Sequence, residues 1–186
     1  MASDPLYQPI TVDEFLGMNF GSDRKFELSD GVIQMMTGGS DKHAHVAGNI
    51  YFALRTKLRG TGCRPFNSDM GIRVTEHDVR YPDVSVVCRP DWLTAPEAKA
   101  FADPVVLFEV LSPSTTTIDQ GRKLEEYRCL PSVDTIVFVD PINRLTRTYQ
   151  RLDDTGWHDT TFAEPHDVEL PSLSITLTEA EIFARD

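Results

Sequence analysis

The chain has 186 residues, 40% hydrophobic and 25% charged, with 29 acidic against 18 basic side chains and a net charge of −11. That composition is globular rather than disordered and suits one domain, 1–186, with a substantial core. It excludes a membrane-spanning helix, because no apolar stretch approaches about 18 residues, and the acidity opposes a broad basic face for nucleic acid.

Taken in chain order, Met1-Ala2-Ser3-Asp4-Pro5 reads as no secretory signal. Thr11-Val12-Asp13-Glu14 has the capping-box pattern, which predicts a short helix to about Met18. Lys25-Phe26-Glu27-Leu28, a Ser29-Asp30-Gly31 turn and Val32-Ile33-Gln34-Met35-Met36 predict a β-hairpin. Gly38-Gly39 breaks it. Ser40 or Asp41 can cap the next helix, whose apolar Ala47, Ile50, Tyr51, Leu54 and Leu58 follow the 3.6-residue period. Short strands are expected over 63–66 and 70–74, then a polar turn at Glu76-His77-Asp78. Two β-branched strands follow, one behind Asp83 and one containing Glu109, separated by an excursion through Trp92 and Pro96. A helix over about 118–130 can be capped within Ser112-Pro113-Ser114-Thr115-Thr116-Thr117. A strand over 135–139, a hairpin from 144–150 to 157–162 and a capping-box helix at Thr178-Glu179-Ala180-Glu181 complete a mixed α/β sheet flanked by helices.

Glu109 lies inside Pro104-Val105-Val106-Leu107-Phe108-Glu109-Val110-Leu111, where an ionised carboxylate costs several kcal/mol unless a cation or strong donors meet it. With Asp83 at the mouth of a neighbouring strand, the two acids form a candidate hard-cation site. Lys123, on the following helix with Asp119 and Tyr127 in step, can reach those acids if the helix folds back over its strand. An ordinary Asp119–Lys123 surface pair is the plainer alternative. Taken alone, His43 reads as a hydrogen-bonded core histidine, Glu27 as a solvent-facing strand position, and Asp69 as a third ligand or a turn residue. His45 faces away from His43. Gly38-Gly39-Ser40 is a weak candidate for an anion site at a helix N-terminus. Three widely spaced cysteines, Cys63, Cys88 and Cys129, argue against a disulfide framework or structural zinc, so a cytoplasmic protein with reduced thiols is expected. Any basic strip must come from Arg55, Lys57 and Arg59, or from Arg122, Lys123 and Arg128.

Several segments together resemble the Uma family of bacterial proteins, described as candidate restriction endonucleases with the PD-(D/E)xK nuclease fold. They are Phe26-Glu27-Leu28-Ser29-Asp30-Gly31, Tyr81-Pro82-Asp83-Val84-Ser85-Val86-Val87, Phe108-Glu109-Val110-Leu111-Ser112-Pro113-Ser114, Gly121-Arg122-Lys123-Leu124-Glu125-Glu126-Tyr127 and Val137-Phe138-Val139-Asp140-Pro141. The resemblance runs from about Thr11 to the C-terminus. It implies a restriction-endonuclease-like domain, a central mixed sheet with helices on both sides. The motif acids fall on Asp83 and Glu109, with Glu27, His43 and Asp69 at further motif positions. The lysine of the broader nuclease pattern, two residues after the acid, is replaced here by Leu111, and the resemblance puts it at Lys123. The fold further implies a metal held by Asp83, Glu109 and the Val110 main-chain carbonyl.

The resulting expectation is Mg²⁺- or Mn²⁺-dependent hydrolysis of nucleic-acid phosphodiesters, DNA before RNA, with no membrane partner and a symmetric homodimer for two-strand cleavage. Two alternatives stand beside it: a non-catalytic binding module on a nuclease scaffold, and a metal-dependent hydrolase of small phosphate esters.

Overall fold

The Glu14 N–H donates to the Thr11 hydroxyl while the Glu14 carboxylate accepts the Thr11 N–H at 2.8 Å, so the expected capping box starts α1 (Val12–Gly17). The computed structural model describes residues 8–21, 24–89, 97–112 and 117–185. The excursion through Trp92 and Pro96, the cap expected over 113–116 and the Asp119 side chain lie outside the described residues.

The first hairpin pairs β1 (Phe26–Ser29) with β2 (Val32–Met35). Its turn places Asp30 at φ 50° and Gly31 at φ 71°, the left-handed pair that a two-residue hairpin turn of this kind requires. Ser40 caps α2 (Asp41–Lys57), accepting from the His43 N–H. Then follow β3 (Cys63–Asn67), β4 (Gly71–Arg73), β5 (Val79–Arg80), β6 (Val84–Cys88), β7 (Ala100–Phe101) and β8 (Pro104–Val110). After α3 (Thr117–Arg128) come β9 (Thr135–Asp140), β10 (Leu145–Arg151), β11 (Trp157–Thr161), β12 (Val168–Leu170), β13 (Ile175–Leu177) and α4 (Glu179–Ile182). β5, β7, β12 and β13 hold two or three residues each, too few for a period-2 pattern to stand out in the sequence.

The central sheet has the order β11-β10-β9-β8-β6-β3 and is mixed, because β8 and β9 run parallel while its other neighbours are antiparallel. A second sheet, β2-β1-β5-β4-β7, and the β12–β13 pair are added to it. Alternation along β8 decides where the chemistry goes. Val106, Phe108 and Val110 pack with Ile50 and Leu54 of α2, whereas Leu107 packs with Tyr127 of α3 and with Leu130. Glu109, two residues beyond Leu107, shares the α3 face. Each fully buried Val, Leu or Phe contributes about 1.5–3 kcal/mol, so a few of them offset one buried carboxylate in β8.

The cysteines require a correction. Cys63 and Cys88 stand opposite each other in the β3–β6 register and are joined by a disulfide, while Cys129 is free and exposed. Strand register, invisible in a 25-residue spacing, makes them neighbours. The expectation of reduced thiols, used to argue for the cytoplasm, does not hold for this pair. No helix among the described residues is long and apolar enough to cross a membrane.

Candidate active site

Glu109 is the next-to-last residue of β8 and 7% exposed. Both of its oxygens are met by α3: the Tyr127 hydroxyl donates to Oε1 at 2.6 Å and the Lys123 ammonium to Oε2 at 3.1 Å. Those two residues are four apart and therefore share one helix face. Burial pushes the Glu109 carboxyl up; Lys123 and Tyr127 pull against that, and the nearby Asp83 charge adds to it. Burial, reinforced by the Glu109 charge, holds the Tyr127 hydroxyl well above its ordinary value, so it remains a donor.

Asp83 immediately precedes β6, the antiparallel neighbour of β8. Its Oδ2 accepts the Val110 N–H at 2.7 Å and contacts His43 Nε2 at 3.1 Å. His43 sits in the first turn of α2 under the Met36–Gly39 segment. A Cβ on Gly39 would lie 2.4 Å from the His43 ring, so any other residue there would have to displace the ring from its contact with Asp83. The hydrogen bond to Asp83 raises the His43 pKa, with burial opposing it. The stabilisation from this pair is therefore complete below the ordinary histidine value of 6.5 and fades as pH rises through the raised folded-state value. We expect His43→Gln to remove that part of the decline in melting temperature, measured by scanning calorimetry between about pH 5.5 and 8.5.

Glu27 reaches the same place from β1, with Oε1 3.2 Å from Nη1 of Arg80. Glu27, His43, Asp83, Glu109, Val110 and Lys123 all line one cavity of about 350 Å³. It shares His43 and Asp83 with an adjoining cavity of about 640 Å³ that extends towards Arg24, Lys25, Tyr51 and Asn67. Every position expected in the catalytic or metal set thus lies around one cleft. Asp69 does not: it pairs with Lys25 at 2.5 Å and its side chain is 68% exposed. His45 turns away as expected, to the Ala184 carbonyl at 2.8 Å.

The expected basic strip is largely consumed within the molecule. Lys57 pairs with Glu181, Arg122 with Asp30 and Glu126, Lys123 with Glu109, and Arg128 with Glu125. Among the described residues, no group of three or more His, Cys, Asp or Glu is arranged as a ready-made metal cage. A hard ion such as Mg²⁺ needs none, since one or two carboxylates plus waters and substrate oxygens suffice. Asp83 and Glu109, two acids at one cavity with one of them deeply buried, suit such an ion.

Two residues of the site carry little sequence signal. Tyr127 is in phase with Lys123, so its helix face is legible, but its contact with Glu109 is not. Arg80, 2% exposed, sits in a two-residue strand and bonds Glu126, Ser29 and Glu27. Burial opposes its charge, but the Glu126 and Glu27 carboxylates outweigh that and raise its pKa.

A central mixed sheet flanked by helices is the restriction-endonuclease-like fold, and the acids at the adjoining ends of β6 and β8, with Lys123 from α3, lie where the sequence resemblance implies. The chain belongs to the Uma2 family, described as "Putative restriction endonuclease", whose model matches residues 12–180. Two Synechocystis relatives are each 27% identical. "Uncharacterized protein slr1290" aligns over 95% of this chain and 93% of its own length, and "Uncharacterized protein sll1609" over 80% and 84%. A crystal structure of "a putative nuclease belonging to DUF820" from Anabaena variabilis superposes with a TM-score of 0.75 at 22% identity, covering 95% of this chain and 98% of that one. That likeness establishes the fold.

Proposed function

We propose that the chain, acting as one domain over 1–186, is a metal-dependent endonuclease that hydrolyses phosphodiester bonds of nucleic acid, DNA in preference to RNA. The observation that carries this reading is the convergence of Asp83, Glu109 and Lys123 on one cavity. Asp83, Glu109 and the Val110 carbonyl are the groups that would hold Mg²⁺ or Mn²⁺. Such an ion supplies charge neutralisation at the scissile phosphate and a lowered pKa for a bound water.

The protein's own groups set the geometry. Lys123, 3.1 Å from Glu109, orients the attacking water and stabilises charge developing on the phosphate. Tyr127 fixes the other Glu109 oxygen, and His43 and the Val110 N–H fix Asp83. Glu27 closes the cavity as a polar wall. A homodimer would present two such sites to the two strands of a duplex.

A second reading, a binding module without catalysis, is favoured by one observation: most candidate basic residues are already paired to acids of the same chain. Calorimetric titration of Mn²⁺ separates the two. Under the first reading the wild type binds, while Asp83→Ala and Glu109→Ala do not. Absence of binding to the wild type, with and without an oligonucleotide, would favour the second.

A further inference from the structure

We propose that Arg80 is a positioning residue of this site: its buried guanidinium holds Glu27 at the cavity and, through Glu126, seats the helix that brings Lys123 and Tyr127 to Glu109. The inference rests on the nuclease reading for what the cavity does, but not for the geometry.

Arg80 Nε donates to Glu126 Oε2 at 2.6 Å and Nη2 to Glu126 Oε1 at 2.7 Å, a two-pronged fork that fixes both distance and orientation. Nη2 also reaches the Ser29 hydroxyl at 3.1 Å, and Nη1 lies 3.2 Å from Glu27 Oε1. One planar group thus ties β1, in the second sheet, to α3, which packs on the central sheet. Arg122 also donates from Nε to Glu126 Oε1 at 2.8 Å while its Nη2 pairs with Asp30 at 2.8 Å, so Glu126 is met by two guanidiniums and Glu27 by that of Arg80.

What Arg80 joins is what makes it more than a structural ion pair. Glu126 lies between Lys123 and Tyr127, so any slide or roll of α3 that breaks the fork also displaces the two donors on Glu109. Arg80 itself stands three residues before Asp83, across Tyr81 and Pro82. Each element that the guanidinium touches or belongs to therefore carries or adjoins a residue of the cavity. A lysine cannot replace it, because an ammonium lacks the planar fork that meets Glu126 with two donors while a third faces Glu27.

The test follows the position of Lys123. Arg80→Gln and Glu126→Gln are compared with wild type at a temperature where circular dichroism shows all three folded. Lys123 acylation by an N-hydroxysuccinimide ester is followed by mass spectrometry, with exposed Lys42 as internal reference. We expect Lys123, now shielded against Glu109, to label about tenfold faster in both variants once the helix is no longer held. On an oligonucleotide with Mn²⁺, kcat should fall by about 10- to 100-fold with little change in KM, as misplacement rather than lost binding dictates. Should Arg80→Gln not fold, Glu126→Gln decides, because it leaves Arg80 paired with Glu27. Unchanged Lys123 labelling in that variant would overturn the proposal. Faster labelling in the variants of an enzyme that cleaves nothing would uphold it and refute the nuclease reading instead.

Discussion

Glu109→Gln is expected to abolish Mn²⁺ binding and to lower nuclease activity by about 10³-fold while leaving the protein folded. The amide keeps the shape of the carboxylate. Its oxygen can accept from Lys123, but its NH₂ then faces the Tyr127 hydroxyl, whose buried proton loses its acceptor at a cost of about 1–3 kcal/mol. What the amide lacks is the negative charge that a cation requires. The sign of the accompanying stability change follows from the raised Glu109 pKa, caused first by burial. An acid whose folded-state pKa lies above its unfolded value destabilises the fold while ionised, and the penalty disappears as pH falls through that raised value. The wild type therefore gains on the variant as the solution is acidified, which parallel melting curves between about pH 4 and 8 would show. An active Glu109→Gln would remove this residue from the mechanism.

Lys123→Met is the second large effect. Methionine replaces the apolar stem but leaves Glu109 with Tyr127 and no ammonium. Breaking a largely buried pair of this kind costs about 3 kcal/mol, readable as a lower urea midpoint. Activity should drop by about 10²–10³-fold, the usual loss when one preorganised charge is removed. Mn²⁺ binding should persist with an altered pH dependence. Lys123 lowers the Glu109 pKa, so its loss raises that pKa further. The carboxylate must be ionised to hold a metal, so acidification should abolish Mn²⁺ binding at a higher pH in the variant than in the wild type. Calorimetric titrations at several pH values test the direction, and an unshifted midpoint would mean that Lys123 does not act on Glu109.

Much of the site is legible in the sequence because its signals are conflicts with local pattern. A glutamate in an otherwise apolar strand and an aspartate after proline at a strand mouth are costly placements, and cost suggests a purpose. Helical spacing then supplies Lys123, since a helix folded back on its own strand brings that position over Glu109. The capping boxes at Thr11 and Thr178 and the Asp30-Gly31 turn are equally local, and they appear where expected. What the sequence hides depends on register and on contacts between distant segments. The Cys63–Cys88 pairing arises from β3 lying opposite β6, and the Arg80 clamp from β1 and α3 meeting at a two-residue strand, β5. Glu27 illustrates the boundary: read alone it is an ordinary solvent-facing position, and only the neighbouring β5 reveals the arginine that draws it inward. The basic strip fails for a related reason, because ion pairs between remote acids and bases cannot be read from composition.

The central claim is that Asp83 and Glu109 make this fold a metal-dependent nuclease. Its most direct measurement is cleavage of end-labelled single- and double-stranded DNA by wild type, Asp83→Asn and Glu109→Gln, with Mg²⁺, with Mn²⁺ and with chelator. The account predicts cleavage by the wild type alone, and only when a divalent ion is present. Cleavage that survives chelation, or is unchanged in either variant, would contradict it, as would an intact substrate with wild type under every condition.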